Sequence, residues 1–199
     1  MTPLLKKCIV AGVAIFAAAA CAPAAGAQEV ALKTNLFYDA TATANLGAEV
    51  AVAPRWSIDL SGNLNAWNMG GDKKWKHWMV QPEARYWFCE AIGGHFVAAH
   101  LLGGQYNFGG LDMDFKFLGT DFRRLKDNRY QGWYGGIGIA YGYSWMLSHH
   151  WNFEAEIGVG YVRASYDEYP CATCGTKTDS GKHNYVGPTK AALNLVYVF

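Results

Sequence analysis

From Trp151 to Val162 every second residue is apolar, at Trp151, Phe153, Ala155, Ile157, Val159 and Tyr161, while Asn152, Glu154, Glu156, Gly158 and Gly160 fill the positions between. A period of two places alternate side chains on opposite faces, so the stretch reads as a strand and not as a helix. Trp56 to Ala66 repeats the pattern, with Ile58, Leu60 and Leu64 against Ser57, Asp59, Ser61, Asn63 and Asn65. Trp133 to Trp145 does so again, with Ile137, Ile139, Tyr141 and Tyr143 against Gly136, Gly138, Ala140, Gly142 and Ser144. Extended along the chain, the alternation predicts eight strands near 31–41, 45–53, 56–67, 77–88, 94–107, 130–147, 150–165 and 185–199. In the fifth, His95 and His100 fall in opposite parity, which suggests a bulge between them. No helical period competes.

The connections alternate in length. Ala53-Pro54-Arg55, the turn from Glu90 to Gly93, and Ser148-His149-His150 are short, and longer loops near 68–76, 108–129 and 166–184, with a smaller one at Thr41 to Ala44, separate them. With both termini in the periplasm, every short connection falls on the periplasmic side and every long one outside, as in an outer-membrane barrel. The predicted fold is therefore all-β, an eight-stranded antiparallel transmembrane β-barrel.

Alternation alone does not say which face is wet, and three features decide. One face carries aromatics near the strand ends, Trp56, Phe88, Trp145 and Trp151 by the short turns and Trp67 and Trp133 by the other rim, in the manner of interfacial girdles. The other carries Lys33, Asp39, Glu49, Asp59, Glu83, Arg85, Glu154, Glu156 and Lys190, too many charges for an apolar cavity. Eight strands leave an interior that side chains fill, so these charges are expected to neutralise one another in a closed network and not to line an ion path. Arg85 and Lys190 are the expected cationic anchors, with Glu154 and Glu156 facing them. Finally, the chain ends LNLVYVF, with Leu193, Leu195, Tyr197 and Phe199 on one face, expected to pair with the first strand near Lys33 to Ala40. A terminal aromatic after alternating apolar residues resembles the signal read by the barrel assembly machinery, here Tyr197 and Phe199.

The amino-terminal segment agrees with export. Lys6 and Lys7 precede the apolar run Cys8 to Ala20, and small residues follow to Ala27, the order of a secretory signal peptide over 1–27 with the barrel domain over 28–199. A rival reading makes Ala18-Ala19-Ala20-Cys21 a lipoprotein box that acylates Cys21, but such boxes usually include a larger aliphatic residue. The formal net charge of +1 carries no suggestion of nucleic acid. No later segment has the apolar length of a transmembrane helix, so entry into a membrane requires a closed barrel.

The stretches ALKTNLFYDATATANLGAEVAVAPRWSIDLSGN, PEARYWFCEAIGGHF, YGGIGIAYGYSWMLSHHWNFEAEIGVGY and PTKAALNLVYVF resemble an uncharacterised family of small outer-membrane barrels, classed as a domain of unknown function. The resemblance implies a barrel like the transmembrane domains of OmpA and OmpX. It transfers no catalytic residues, and it implies a loose connection with fimbrial assembly.

Candidate chemistry is sparse. Cys171-Ala172-Thr173-Cys174 reads as a redox pair, half a zinc site or a loop disulfide. An exposed glycine-containing loop with only His183 as a further ligand favours the disulfide, leaving Cys89 as the odd thiol at a periplasmic turn. His100 is the one candidate base for a lipid-modifying enzyme, without a serine and an acid to place beside it, and the packed histidine is the simpler reading. The loop holding Asp112, Asp114, Lys116, Asp121, Arg123, Arg124, Lys126, Asp127 and Arg129 is densely charged. It reads as a solvated loop or as a contact surface for lipopolysaccharide phosphates or a protein. The expectation is a non-catalytic outer-membrane protein with a structural or surface-interaction role, without cofactor or metal. Its expected partners are outer-membrane lipids, the assembly machinery and a fimbrial or surface protein, and not nucleic acid. The alternatives are a lipid-modifying enzyme and a soluble lipocalin-like carrier.

Overall fold

The computed structural model describes residues 29–67, 74–110, 116–117, 120–121, 128–170 and 175–199. The strands are β1 (Val30–Asn35), β2 (Ala44–Ala53), β3 (Trp56–Asn65), β4 (Lys74–Trp87), β5 (Gly94–Gly109), β6 (Lys116–Phe117), β7 (Thr120–Asp121), β8 (Arg129–Met146), β9 (Trp151–Tyr169) and β10 (Asp179–Val198). Apart from the small β6–β7 ribbon, they form one antiparallel sheet in the order β1-β10-β9-β8-β5-β4-β3-β2, which closes on itself into a barrel-shaped ring. The closure joins the two ends of the chain: Ala31 pairs with Val198 and Asn35 with Asn194.

Two expectations are corrected in the first half of the chain. β1 does not continue to residue 41, because the Asn35 side chain accepts a hydrogen bond from the Phe37 N–H at 3.0 Å. It thereby caps a five-residue helix, α1 (Leu36–Ala40). Pairing with β10 stops at Asn35 for the same reason. Asp39 consequently leaves the inward set: it is exposed on α1, where it accepts from Thr34 Oγ1 at 2.8 Å and Asn45 Nδ2 at 2.7 Å. In β5 the expected bulge is absent, since the β5–β8 register runs unbroken from Gly94↔Ser144 to Phe108↔Tyr130. His95 simply faces out and His100 in.

Bulges do occur where β2 meets β3, between Ala51 and Ala53, and where β10 meets β9, between Pro188 and Lys190. The second absorbs a proline, which has no N–H to give to a ladder. It also lets Thr189 and Lys190, although adjacent, both address the interior. β9 and β10 extend well beyond the predicted limits, through Tyr169 and from Asp179. Those extensions are mixed in polarity and lack the alternation that marks the rest.

The three short connections and the terminal Phe199 share one end of the ring, tied by Trp87 N–H to Arg55 O at 2.9 Å, Val198 N–H to His150 O at 2.8 Å and Phe199 N–H to Val30 O at 2.9 Å. That end is closed from inside by two small apolar clusters, Trp87, Phe96, Ala98 and Ala140, and Ala31, Ile92 and Val196. Ile92 sits at φ +65°, a conformation costly for a β-branched residue. Its carbonyl is held by Asn152 Nδ2 at 2.9 Å and Ser144 Oγ at 3.2 Å, and its side chain is buried, so the surroundings offset the strain.

Candidate functional site

The register explains why charge collects in the interior. Followed round the ring, Ala31 leads to Glu49, Asp59, Glu83, His100, Gly138, Gly160 and then Gly187. Four polar side chains thus lie in a row on one wall, and glycines on the opposite wall leave them room. The next row is Ser57, Arg85, Ala98, Ala140, Gly158 and Lys190. Arg85 accordingly reaches across the interior over small neighbours. A Cβ on Gly138 would clash with the His100 ring, its Cε1 being 2.7 Å away.

Arg85 is the hub. Its Nε contacts Glu83 Oε1 at 2.6 Å, Nη1 contacts Glu49 Oε2 at 3.0 Å and Glu154 Oε2 at 2.8 Å, and Nη2 contacts Glu156 Oε2 at 2.8 Å. The guanidinium also lies 4.4 Å from the centre of the Phe96 ring, a cation–π contact on its remaining face. Lys33 bridges Glu49, Asp59 at 3.2 Å and Glu154 at 3.3 Å. Lys190 bridges Glu83 at 2.7 Å and Glu156 at 3.1 Å. All eight side chains are at least nine-tenths buried. A planar five-donor fork suits several carboxylates at once, whereas each lysine supplies a point charge.

The structure therefore unites Lys33, Glu49, Asp59, Glu83, Arg85, Glu154, Glu156 and Lys190 in one network. The expected anchors are adjusted: Arg85 meets both Glu154 and Glu156, Lys190 meets Glu156 and Glu83, and Lys33 is a third anchor. Neutral partners complete it. Asn194 Nδ2 donates to Glu154 Oε1 at 2.7 Å, Ser57 Oγ donates to Glu49, and Trp87 Nε1 donates to Ser57 Oγ at 2.7 Å. Trp87 and Phe96, fully buried inside the ring, were not anticipated as interior residues, although Trp87 shares the parity of Glu83 and Arg85.

His100 also belongs to this interior. Its Nε2 lies 2.9 Å from the hydroxyl of bulge residue Thr189, and its Nδ1 lies 3.7 Å from Glu83 Oε2. It is enclosed and points away from the outer wall. Among the described residues no cluster of His, Cys, Asp and Glu is arranged to hold a metal ion.

Residues 13–199 match the model of a protein family described as a protein of unknown function, DUF3575. The chain belongs to this family. No curated protein matches it. In this DUF3575 chain the terminal aromatics stand outside the ring. Tyr197 and Phe199 lie on the outer face at the short-turn end, ring centres 5.1 Å apart, and Tyr197 is also edge-on to Trp151 at 5.1 Å. Cys89 is exposed and free at the turn after β4. Cys171 and Cys174, residues 1–28, and all of the charged loop except Lys116, Asp121 and Arg129 lie outside the described residues.

Above the network, at the α1 end, the interior opens into a cavity of about 610 Å³. The network forms its floor.

Proposed function

We propose that this chain is a small outer-membrane β-barrel of the OmpA/OmpX type, exported by a cleaved signal peptide. In this reading both termini are periplasmic, and the protein acts through structure and surface contacts without catalysis of its own. The observation that carries the reading is the inverted distribution of polarity. Charged side chains of the network are buried, while Trp56, Ile58, Leu101, Trp133, Ile137, Ile139, Trp145, Trp151, Ile157 and Val159 stand exposed around the outside. A protein folded in water does not leave so extensive an apolar surface uncovered.

The dimensions are compatible. From Trp133 to Trp145 along β8, at about 3.3 Å per residue and a tilt near 40°, the outward band spans about 30 Å, close to the thickness of a hydrocarbon core. Exposed tryptophans mark both of its ends. The lipocalin-like alternative would require an apolar interior, and this one is ionic. The lipid-modifying alternative relied on His100, which faces the interior, so that residue lends it no support.

Membrane fractionation with heat-modifiable gel mobility tests the reading. The expected result is a detergent-extracted protein whose unheated form migrates faster than its boiled form. Release as a soluble, non-modifiable protein would overturn it.

A further inference from the structure

The 610 Å³ cavity lies within the size range of small-molecule sites, about 300–1,000 Å³. Its wall includes inward positions of β2, β3 and β4, where Asn45, Asn63, Ser61 and Gln81 supply amides and a hydroxyl and Trp75 supplies aromatic surface, and Tyr38 of α1 adds a second ring. Two buried polar atoms that line it have no hydrogen-bond partner among the described residues: Gln81 Nε2 and His77 Nδ1. Gln81 is 3% exposed. Buried polar groups are ordinarily satisfied, so an unpaired amide donor in a cavity lined by further polar side chains marks a place for a complementary group.

We infer that this cavity is a binding site for a neutral, hydroxyl-rich ring, such as the terminal sugar of a glycan. A hydroxyl both donates and accepts, so neighbouring hydroxyls of one sugar can accept from the Gln81 amide and donate to the Ser61 and Asn63 oxygens beside it. The aromatic groups, Trp75 and Tyr38, offer flat surfaces to the C–H faces of the same ring. Charge excludes the stronger ions. Lys33, Arg85 and Lys190 line the cavity, and each is held by carboxylates of the network, so none is free to neutralise an anion. Asp59, the one network carboxylate that lines it, is paired with Lys33, so a cation finds no free acid there. The inference rests on the interior geometry and not on the solvent around the ring, so it stands or falls separately from the membrane reading.

The test is calorimetric titration of the purified full chain with glucose, N-acetylglucosamine and lactose, in a detergent without a sugar headgroup, with sodium phosphate as a parallel probe. The expected result is millimolar binding of at least one sugar and none of phosphate. Gln81→Leu, close in volume, and Trp75→Leu, at the rim, should each weaken it about tenfold, the loss expected from one well-made hydrogen bond or contact. Retained heat-modifiable mobility or an unchanged far-ultraviolet spectrum shows that each variant is folded. Absence of binding by all three sugars, binding of phosphate in their place, or equal sugar affinity in both folded variants overturns the inference.

Discussion

Arg85 Nη1 and Glu154 Oε2 lie 2.8 Å apart across the interior, although 69 positions separate them in the chain. The same guanidinium holds Glu49, Glu83 and Glu156, so its removal leaves several carboxylates buried without their principal partner. Stripping one side of a buried ion pair costs about 3–5 kcal/mol. Arg85→Met should lose stability on that scale, read as a lower urea midpoint for the folded band. Arg85→Lys should recover only part, because a point charge does not reach four carboxylates in a fork. Wild-type midpoints for both would contradict the network's role.

The ring of Phe96 rests on Gly142. A Cβ at Gly142 would stand 2.6 Å from Phe96 Cε1, and the Phe96 ring is fully buried. Gly142→Ala should therefore cost about 1–3 kcal/mol through overpacking. Combined with Phe96→Leu, the second substitution should cost less than it does in the wild-type background. A double-mutant cycle by denaturant titration measures that coupling, and strict additivity would refute the contact.

Ile92 closes the short-turn end with Ala31 and Val196, and Ala91 links this cluster to that of Trp87 and Phe96. The wild-type protein should pass no steady ion current in planar bilayers. Ile92→Gly relieves the positive φ while deleting the buried side chain, so thermal stability should fall only modestly. Ile92→Gly combined with Arg85→Ala should produce measurable conductance. Steady channels in the wild type would show the closure to be incomplete.

Phe199 is 67% exposed, with its ring edge-on to Tyr197 and its N–H bonded to Val30 O. Deletion of Phe199 alone should lower the amount assembled in the outer membrane, measured by surface proteolysis and heat-modifiable mobility. The fraction that does assemble should keep near-normal stability, because an exposed ring contributes little packing. Normal assembled levels would count against an assembly role.

The strands were legible because one face had to be apolar and the other polar, and a period of two survives in a single sequence. For the same reason Lys33, Glu49, Asp59, Glu83, Arg85, Glu154, Glu156 and Lys190 were recognisable as one inward set. Asp39 escaped that logic. Its strand ends at a local cap, the Asn35 side chain on the Phe37 N–H, which competes with the ladder without disturbing the pattern of polarity. His100 was hard to place because parity looked broken when only the assignment of faces was at issue.

Parity, a property of each strand alone, marked most of the inward and outward side chains in advance, with Asp39, Trp87 and Phe96 the exceptions. Which base meets which acid was decided by the tertiary structure. Arg85 reaches Glu154 and Glu156 because the stagger of the closed ring sets Ala98, Ala140 and Gly158 beside it as small neighbours. Thr189 reaches His100 because a bulge turns two consecutive residues inward. Register and closure are relations among all eight strands, and no single strand contains them.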